Sequence, residues 1–367
     1  MLDRQTDRQT DRQTDRQTDR QTDRQTDRQR LNYVDICKAL GIILVVLGHT
    51  YSIPETLYLI IYSFHMPLFF ILSGFVYNKE KNQSIGFKRF ALKQAKNYLI
   101  PYYVFSIINL CIEAFKRIVL SKQGVDGEYF VTKIKGILLC YSNTDNMPNC
   151  SPIWFLLCLF IAIVAFWWIL KLDFRFNWIP IVICLISNYL VLPYCVDHTS
   201  FPFKFPTFLI AIVFLYVGYC LRRLADRDLF QKPWFVIASL FALVAGMLIE
   251  FFTKNEVGMN ENEYGNYLVF IIVSVLVSVG VITIISKLTF IHNNRFFIWL
   301  GRNTLYIIGF NYLCRDIATE LYYYIPVIRK IQIHWMSAFV LTFGLCLLCI
   351  VLCTKTRELF VNLLLKK

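Results

Sequence analysis

Long runs of hydrophobic residues alternate with short polar linkers along most of this chain of 367 residues. Hydrophobic residues make up 56% of the sequence, charged residues only 17%, and the mean hydropathy is +0.49. Each run holds about 18 to 22 residues, enough to cross the roughly 30 Å hydrocarbon layer as a helix. The pattern predicts an all-α integral membrane protein, a bundle of about ten transmembrane helices. We place the spans near residues 33–50, 57–77, 98–115, 152–170, 177–193, 205–221, 233–252, 267–285, 303–320 and 335–353.

The linkers alternate in charge, and this predicts how the chain is oriented. Linkers on one side are rich in lysine and arginine, as in GFKRFALKQAK, whereas the opposite ones carry acids, as in TKNEVGMNENEYGN. Since basic linkers stay in the cytoplasm, both termini are expected there. The formal net charge of +13 then follows from topology, and no nucleic-acid partner is expected. No small-residue cleavage site follows the first span, which we therefore expect to be retained.

The first 29 residues differ in composition from the rest. Residues 3–26 repeat Asp-Arg-Gln-Thr six times, and the repeat breaks off after residues 27–29. With no hydrophobic residue in the repeat, residues 1–29 are predicted to be a disordered tail, and residues 30–367 the transmembrane domain. A repeated four-base unit such as GACA encodes this motif, and gain or loss of one unit shifts the reading frame. We interpret the tail as the by-product of a phase-variable expression switch; a flexible leader and a misplaced start codon are the alternatives.

The first span carries charged residues at one end and an imidazole at the other. In RLNYVDICKALGIILVVLGHT, Arg30, Asp35 and Lys38 precede the apolar run and His49 closes it. Ionisable residues at membrane depth are costly and therefore functional candidates, although long side chains near a helix end reach the interface. Asp35 and Lys38 share a helix face. This end is either a membrane anchor with a local salt bridge or a cationic mouth for an anionic ligand.

Two histidines are expected to face one cavity near the opposite end. His49 follows Asp35 by fourteen residues, about 21 Å along a helix, so the aspartate cannot orient it directly. After a short hairpin, the second span brings His65 back toward the same level. A histidine titrates near neutrality and serves as a general base toward a hydroxyl. The alternatives are a metal site and a hydrogen bond between helices; the other three histidines form no spaced cluster, and no metal is expected.

Other polar residues are weaker candidates. Arg89, Lys93 and Lys96 lead into the third span, where they either set orientation or hold phosphates at the inner membrane face. Glu113 and Glu250 fall near helix ends and are either acceptor-side partners or carboxylates that reach the interface. Cys140 and Cys150 share one linker and form a disulfide if that side is oxidising. No P-loop and no GxGxxG is present, which argues against an ATP-driven pump or a dinucleotide enzyme.

Several motifs resemble, in order, the membrane acyltransferase type 3 family, and its fucose 4-O-acetylase-like members most. They are RLNYVDICKALGIILVVLGHT, IYSFHMPLFFILSGFVY, FKRFALKQAKNYLIPYY, WFLLCLF and LGRNTLYIIGFN. The resemblance implies about ten transmembrane helices and transfer of an acetyl or other acyl group from cytoplasmic acyl-CoA to a glycan hydroxyl. It places the catalytic histidine on His49 and a conserved arginine and aspartate on Arg30 and Asp35. This chain departs from it at Asn97, where relatives commonly have arginine, and at Asn311, where many have histidine.

Together the residues and the resemblance predict an O-acetyltransferase of the bacterial cytoplasmic membrane that uses acetyl-CoA and a lipid-linked or exported polysaccharide. His49 acts as general base or transient acyl carrier. Donor binding is assigned to Lys38, Arg89, Lys93 and Lys96, and acceptor binding to His65, Glu113, Trp154 and Asn311. Two alternatives stay open. The first is a polysaccharide flippase or export component, and the second is an acyltransferase that modifies proteins.

Overall fold

The computed structural model describes residues 32–120, 124–143, 145–147, 151–195, 201–324 and 334–365. Within these ranges the chain is helical with no strand, and an isolated antiparallel bridge joins Gly258 and Glu263. The repeat tail, Arg30 and Cys150 lie outside the described residues, as does the pairing of Cys150 with Cys140. The helices are α1 (32–48), α2 (Glu55–Phe75), α3 (Lys79–Ser84), α4 (Phe87–Gln94), α5 (Ile100–Phe115), α6 (Gly127–Leu139), α7 (Trp154–Ile169), α8 (Trp178–Val191), α9 (Phe205–Ala225), α10 (Pro233–Thr253), α11 (Tyr267–Lys287), α12 (Arg295–Arg302), α13 (Thr304–Tyr324) and α14 (Trp335–Leu365).

Six helical segments in the described ranges are long and apolar enough to cross a membrane. They are Glu55–Phe75, Phe87–Val119, Pro202–Ala225, Pro233–Thr253, Tyr267–Lys287 and Trp335–Thr356. The third predicted span is part of a longer helix, because π-helical turns at Ala95–Leu99 and Lys116–Leu120 join α4 and α5 and extend α5. The sequence therefore correctly predicts an all-helical multi-pass membrane protein. The six segments account for six of the ten predicted spans.

The centre of the bundle depends on a close crossing of α2 and α9. A Cβ atom on Gly74 would overlap the carbonyl oxygen of Leu215, and one on Gly218 would overlap that of Ile71. Because each glycine leaves room for the other helix's backbone, the two helices pack at the short separation that small residues allow.

A proline in α2 creates a local problem that α11 solves. Pro67 has no N–H, so the carbonyl of Ser63, four residues earlier, loses its helical donor. The hydroxyl of Ser274 on α11 donates to that carbonyl at 2.6 Å, and both serines are fully buried. In an apolar environment an unsatisfied carbonyl is costly, so this bond fixes α11 against the middle of α2, near His65.

The loop between α10 and α11, residues 254–266, is held against the bundle by polar contacts from three other segments. The Lys204 ammonium donates to the carbonyl of Asn260 at 2.7 Å, and the Thr207 hydroxyl donates to Asn262 Oδ1 at 2.7 Å. The Ser142 hydroxyl donates to Asn260 Oδ1. These contacts turn one side of the loop toward the end of α1.

Candidate functional site

A cavity of about 330 Å³ lies between the end of α1 and the 254–266 loop; we call it the histidine cavity. Its walls come from α1, α2, the start of α7, the 254–266 loop and α13. They include His49, His65, Tyr58, Tyr62, Trp154, Phe155, Glu256, Glu261, Glu263, Ile308 and Tyr312. The shared cavity that the sequence predicts for the two histidines is therefore present. It is concave, aromatic on several sides and carries a few convergent polar groups, the usual character of a small-molecule site.

His49 is held by an aromatic residue of the second helix. The Tyr62 hydroxyl lies 2.9 Å from His49 Nδ1, at hydrogen-bonding distance, and the Tyr312 ring centroid is 5.1 Å from the imidazole. Gly48 makes this approach possible, because a Cβ there would sit 3.0 Å from the Tyr62 ring. Among the described residues, Nε2 has no hydrogen-bond partner. With Nδ1 fixed by Tyr62, Nε2 is the nitrogen left for proton transfer.

His65 has a defined tautomer. Its Nδ1 is 2.7 Å from the carbonyl oxygen of Ile61, and because a carbonyl only accepts, Nδ1 carries the proton and donates it there. The unprotonated Nε2 is then the nitrogen that remains at the cavity, although the side chain is only 4% exposed overall. His65 is therefore a neutral hydrogen-bond acceptor in this wall.

The wall opposite the histidines is acidic. Glu256, Glu261 and Glu263 all come from the 254–266 loop, and Glu261 accepts from the Asn260 amide at 2.8 Å. Trp154 forms the adjacent aromatic wall, with the Lys204 ammonium 5.9 Å from its ring centroid. Carboxylates beside aromatic rings can accept hydrogen bonds from hydroxyl groups while the rings pack on apolar faces of a ligand.

A second, larger cavity of about 730 Å³ lies at the other end of α2; we call it the basic cavity. Ser73 and Phe75 of α2 line this cavity, and Tyr58 and His65 of the same helix line the first one, so α2 reaches both. The lining cations are Lys79, Lys81, Lys93, Arg222 and Arg223, and the lining acids are Glu80 and Asp226. Arg222 pairs with Asp226 at 3.0 Å. The excess of cations makes this cavity suited to an anionic group.

Of the four residues that the sequence assigns to donor binding, Lys93 lines the basic cavity. Arg89 and Lys96, on the same continuous helix, are exposed and do not line it. Lys38 instead contacts Asp35 at 3.3 Å, and neither residue lines the histidine cavity or the basic cavity. The sequence grouped these lysines and arginines by charge alone, whereas the direction of each side chain around the helix decides which of them meets the cavity.

Asp35 connects α1 to α12. Its carboxylate accepts from Arg302 Nε at 2.8 Å, and the chain approaches so closely that a Cβ on Gly301 would overlap the Asp35 carbonyl. Because His49 lies about 21 Å further along the helix, Asp35 makes no contact with the imidazole. We interpret Asp35 as a positioning residue that anchors the first helix.

Two predicted acceptor-binding residues do not line the histidine cavity. Glu113 pairs with Lys133 at 3.2 Å and accepts from the Tyr129 hydroxyl at 3.0 Å, which ties α5 to α6. Burial, together with this carboxylate, raises the pKa of Tyr129 to about 12. Asn311 lies on α13 between Ile308 and Tyr312, which line the histidine cavity, but Asn311 itself is buried. Its side-chain amide has no hydrogen-bond partner within the described structure. Trp154 and His65 are the predicted acceptor residues that line the cavity.

Several residues that line the histidine cavity were not predicted from the sequence, although one signal could have revealed some of them. Tyr58, Tyr62, His65 and Phe69 recur at helical spacing on one face of α2, so a search for polar aromatic residues in register with His65 would have found the tyrosines. The three loop glutamates and Arg222 had no such signal, because their positions depend on contacts between distant segments.

No group of three or more His, Cys, Asp or Glu side chains in the described part of the chain is arranged to hold a metal ion. Cys346 and Cys349 have the spacing of a metal-binding or redox pair, but they lie on the membrane helix α14.

The fold and the two cavities define a multi-pass helical membrane protein with a histidine-containing site. A family model described as an acyltransferase domain, that of the acyltransferase 3 family, matches residues 31–355. The chain therefore belongs to the acyltransferase 3 family, and this membership identifies it as a membrane acyltransferase. No curated protein and no solved structure matches the chain.

Proposed function

We propose that this protein is an O-acetyltransferase that moves an acetyl group from acetyl-CoA to a hydroxyl of a surface or lipid-linked polysaccharide. The observation that carries the proposal is that one helix, α2, lines both a cation-rich cavity and a cavity with two histidines. From His65 to Ser73 the helix rises about 12 Å, a distance that the extended arm of a donor held by its phosphates at one end can span. Family membership supports acyl transfer as the reaction.

In the proposed reaction, His49 Nε2 accepts the proton of the acceptor hydroxyl as its oxygen attacks the thioester carbonyl. The carbon–sulfur bond then breaks, and the departing thiolate of coenzyme A takes the proton. For Nε2 to act as the base, Nδ1 carries the ring proton and donates it to the Tyr62 hydroxyl oxygen, which holds the imidazole throughout. Direct transfer and a brief acyl-histidine intermediate both use this nitrogen.

The phosphates of the acetyl-CoA donor are negatively charged and bind at the end of α2 opposite the histidine cavity. Lys93, Lys79 and Lys81 hold the phosphates of coenzyme A in the basic cavity, together with Arg222 and Arg223. Along α2, Phe69 and Phe70 lie between His65 and Ser73, and both rings pack against Phe155. These rings must move aside for the pantetheine arm.

We further propose ten spans with both termini in the cytoplasm of a bacterial inner membrane. The six long apolar helices are joined in this count by α1, α7, α8 and α13. This orientation turns the basic cavity toward cytoplasmic coenzyme A and the histidine cavity toward the outer face, in agreement with the positive-inside rule. The encoded tail fits a phase-variable switch, since surface glycans are frequently varied in this way.

The test combines an enzyme assay with glycan analysis. Purified full-length protein, incubated with radiolabelled acetyl-CoA and surface polysaccharide, is expected to label the polysaccharide, and His49→Ala is expected to abolish labelling. His292→Gln is the control, because His292 is buried and donates to the Ile285 carbonyl away from both cavities. Mass spectrometry of the glycan from His49→Ala cells should show normal amounts without the acetyl increment. If the total amount of surface glycan falls while the proportion of acetylated chains stays unchanged, the protein is instead an export component.

A further inference from the structure

A third cavity, of about 410 Å³, lies next to the histidine cavity and contains one arginine; we call it the arginine cavity. Its walls are formed by the residues that directly follow His49 and by α13 and α14. They are Thr50, Tyr51, Ser52, Arg315, Ala318, Thr319, Tyr322, Ala338 and Thr342. Hydroxyl groups thus surround a single guanidinium, and no carboxylate residue is among these lining residues.

Arg315 packs against two tyrosine rings, which leaves part of its guanidinium edge for a ligand. The guanidinium carbon lies 4.2 Å from the Tyr312 ring centroid and 5.0 Å from that of Tyr51. In this arrangement the N–H groups point outward in the plane of the guanidinium. Its Nε is buried without a hydrogen-bond partner in the described structure. The carboxylate of Asp316 lies 3.4 Å from one terminal nitrogen, and Asp316 also pairs with Lys116 at 3.6 Å.

An apolar groove of about 640 Å³ continues from the arginine cavity along α14. Tyr322 lines both, and the rest of the groove is formed by Met336, Ser337, Val340, Leu341, Gly344 and Leu345. Met336 and Val340 are more than half exposed, so the groove opens to the surroundings of the bundle, where a membrane protein meets lipid. The combination of an apolar groove with a cation at its end matches a lipid chain that carries an anionic head.

The arginine cavity is also joined to the proposed catalytic histidine. Tyr312 lies beside both groups, since its ring centroid is 5.1 Å from that of the His49 imidazole and 4.2 Å from the guanidinium carbon of Arg315. A group attached to a phosphate at Arg315 therefore lies within the width of one aromatic ring of the histidine cavity.

We propose that the arginine cavity and the adjoining groove bind a lipid-linked sugar phosphate. Its hydrocarbon chain lies in the groove, its phosphate receives hydrogen bonds from Arg315, and its sugar enters the histidine cavity. An arginine is suited to this because its fork of donors matches phosphate oxygens. The sugar's role as acyl acceptor rests on the function proposed above, whereas binding of the lipid phosphate does not depend on it.

The experiment measures binding to the purified full-length protein in a neutral detergent by native mass spectrometry. The probes are a short isoprenyl phosphate carrying one hexose, the isoprenol of equal chain length, inorganic phosphate and phosphatidylglycerol. The sugar-bearing isoprenyl phosphate is expected to bind at least tenfold more tightly than each of the others. Arg315→Gln is expected to remove this advantage, and Arg117→Gln is the matched control, since Arg117 also stacks on a tyrosine, at 4.8 Å from Tyr129, without lining the site.

A second variant tests the groove. A Cβ on Gly344 would meet no atom within 4 Å, so Gly344→Leu is expected to fill the groove without strain and to weaken binding of the lipid probe at least tenfold. Leu352→Phe, at an exposed position on the same helix outside the groove, is expected to leave binding unchanged.

Each contrary result has a distinct meaning. Equal binding of inorganic phosphate, of the isoprenol or of phosphatidylglycerol overturns the proposal, as does unchanged binding in Arg315→Gln. If the lipid probe binds as expected but His49-dependent acetyl transfer is absent, the acyltransferase function fails and the lipid site stands. If acetyl transfer to the lipid-linked sugar proceeds equally well in Arg315→Gln, the lipid site fails and the acyltransferase function stands.

Discussion

The hydrogen bond between Tyr62 and His49 gives the sharpest prediction about catalysis. Tyr62→Phe removes the hydroxyl that lies 2.9 Å from His49 Nδ1 and keeps the ring that packs beside Gly48. The imidazole then loses the hydrogen bond that holds its orientation. Acetyl transfer is expected to slow, while the shape of the histidine cavity stays nearly the same.

The magnitude follows from the strength of the hydrogen bond that the substitution removes. A single neutral hydrogen bond contributes about 0.5–1.5 kcal/mol, and a partly buried nitrogen left without its partner adds about 1 kcal/mol or more. A total of about 1.5–2.5 kcal/mol corresponds to a roughly tenfold to seventyfold fall in kcat. His49→Ala, which removes the base itself, is expected to cost roughly a hundredfold to ten-thousandfold.

Steady-state transfer of radiolabelled acetyl groups to polysaccharide measures the effect. The KM for acetyl-CoA should stay unchanged, because Tyr62 does not line the basic cavity. Tyr216→Phe is the control, since it removes a tyrosine hydroxyl that donates to Asn177 and lines neither cavity. A Tyr62→Phe enzyme within twofold of the wild type would refute the reasoning, and so would an equal loss in both tyrosine variants.

Three further changes test the fold and the donor site. Gly74→Val forces a side chain against the Leu215 carbonyl and is expected to destabilise the protein by about 3 kcal/mol or more, seen as a lower Tm in detergent. Asp35→Asn breaks a pair with an arginine that is 60% exposed, so it should lower the free energy of unfolding by about 1 kcal/mol and leave kcat within about threefold. A hundredfold loss of kcat in a folded variant would instead show that Asp35 is catalytic. Lys93→Gln should raise the KM for acetyl-CoA roughly fivefold, because about 1 kcal/mol of phosphate binding is lost, whereas Lys96→Gln should leave this KM unchanged. Equal effects of the two substitutions would show that the basic cavity is not the donor site.

The sequence by itself determined that the protein is an all-helical, multi-pass membrane protein, and it determined the family. Apolar runs of spanning length dictate helices, because a backbone in lipid must satisfy its own hydrogen bonds. The short connection between the first two spans brings His49 and His65 to one cavity, as the sequence predicts. These features are local, so spacing and residue type suffice to predict them.

The tertiary structure decided which polar residues surround the site. Arg302 reaches Asp35 across 267 positions of sequence, and the 254–266 loop meets α2 only because Lys204 and Thr207 hold it there. Such interactions depend on how distant helices pack and on which side of a helix each residue faces, and neither is set by local spacing. For the same reason Lys93 lines the basic cavity whereas Lys96, three residues later on the same helix, does not.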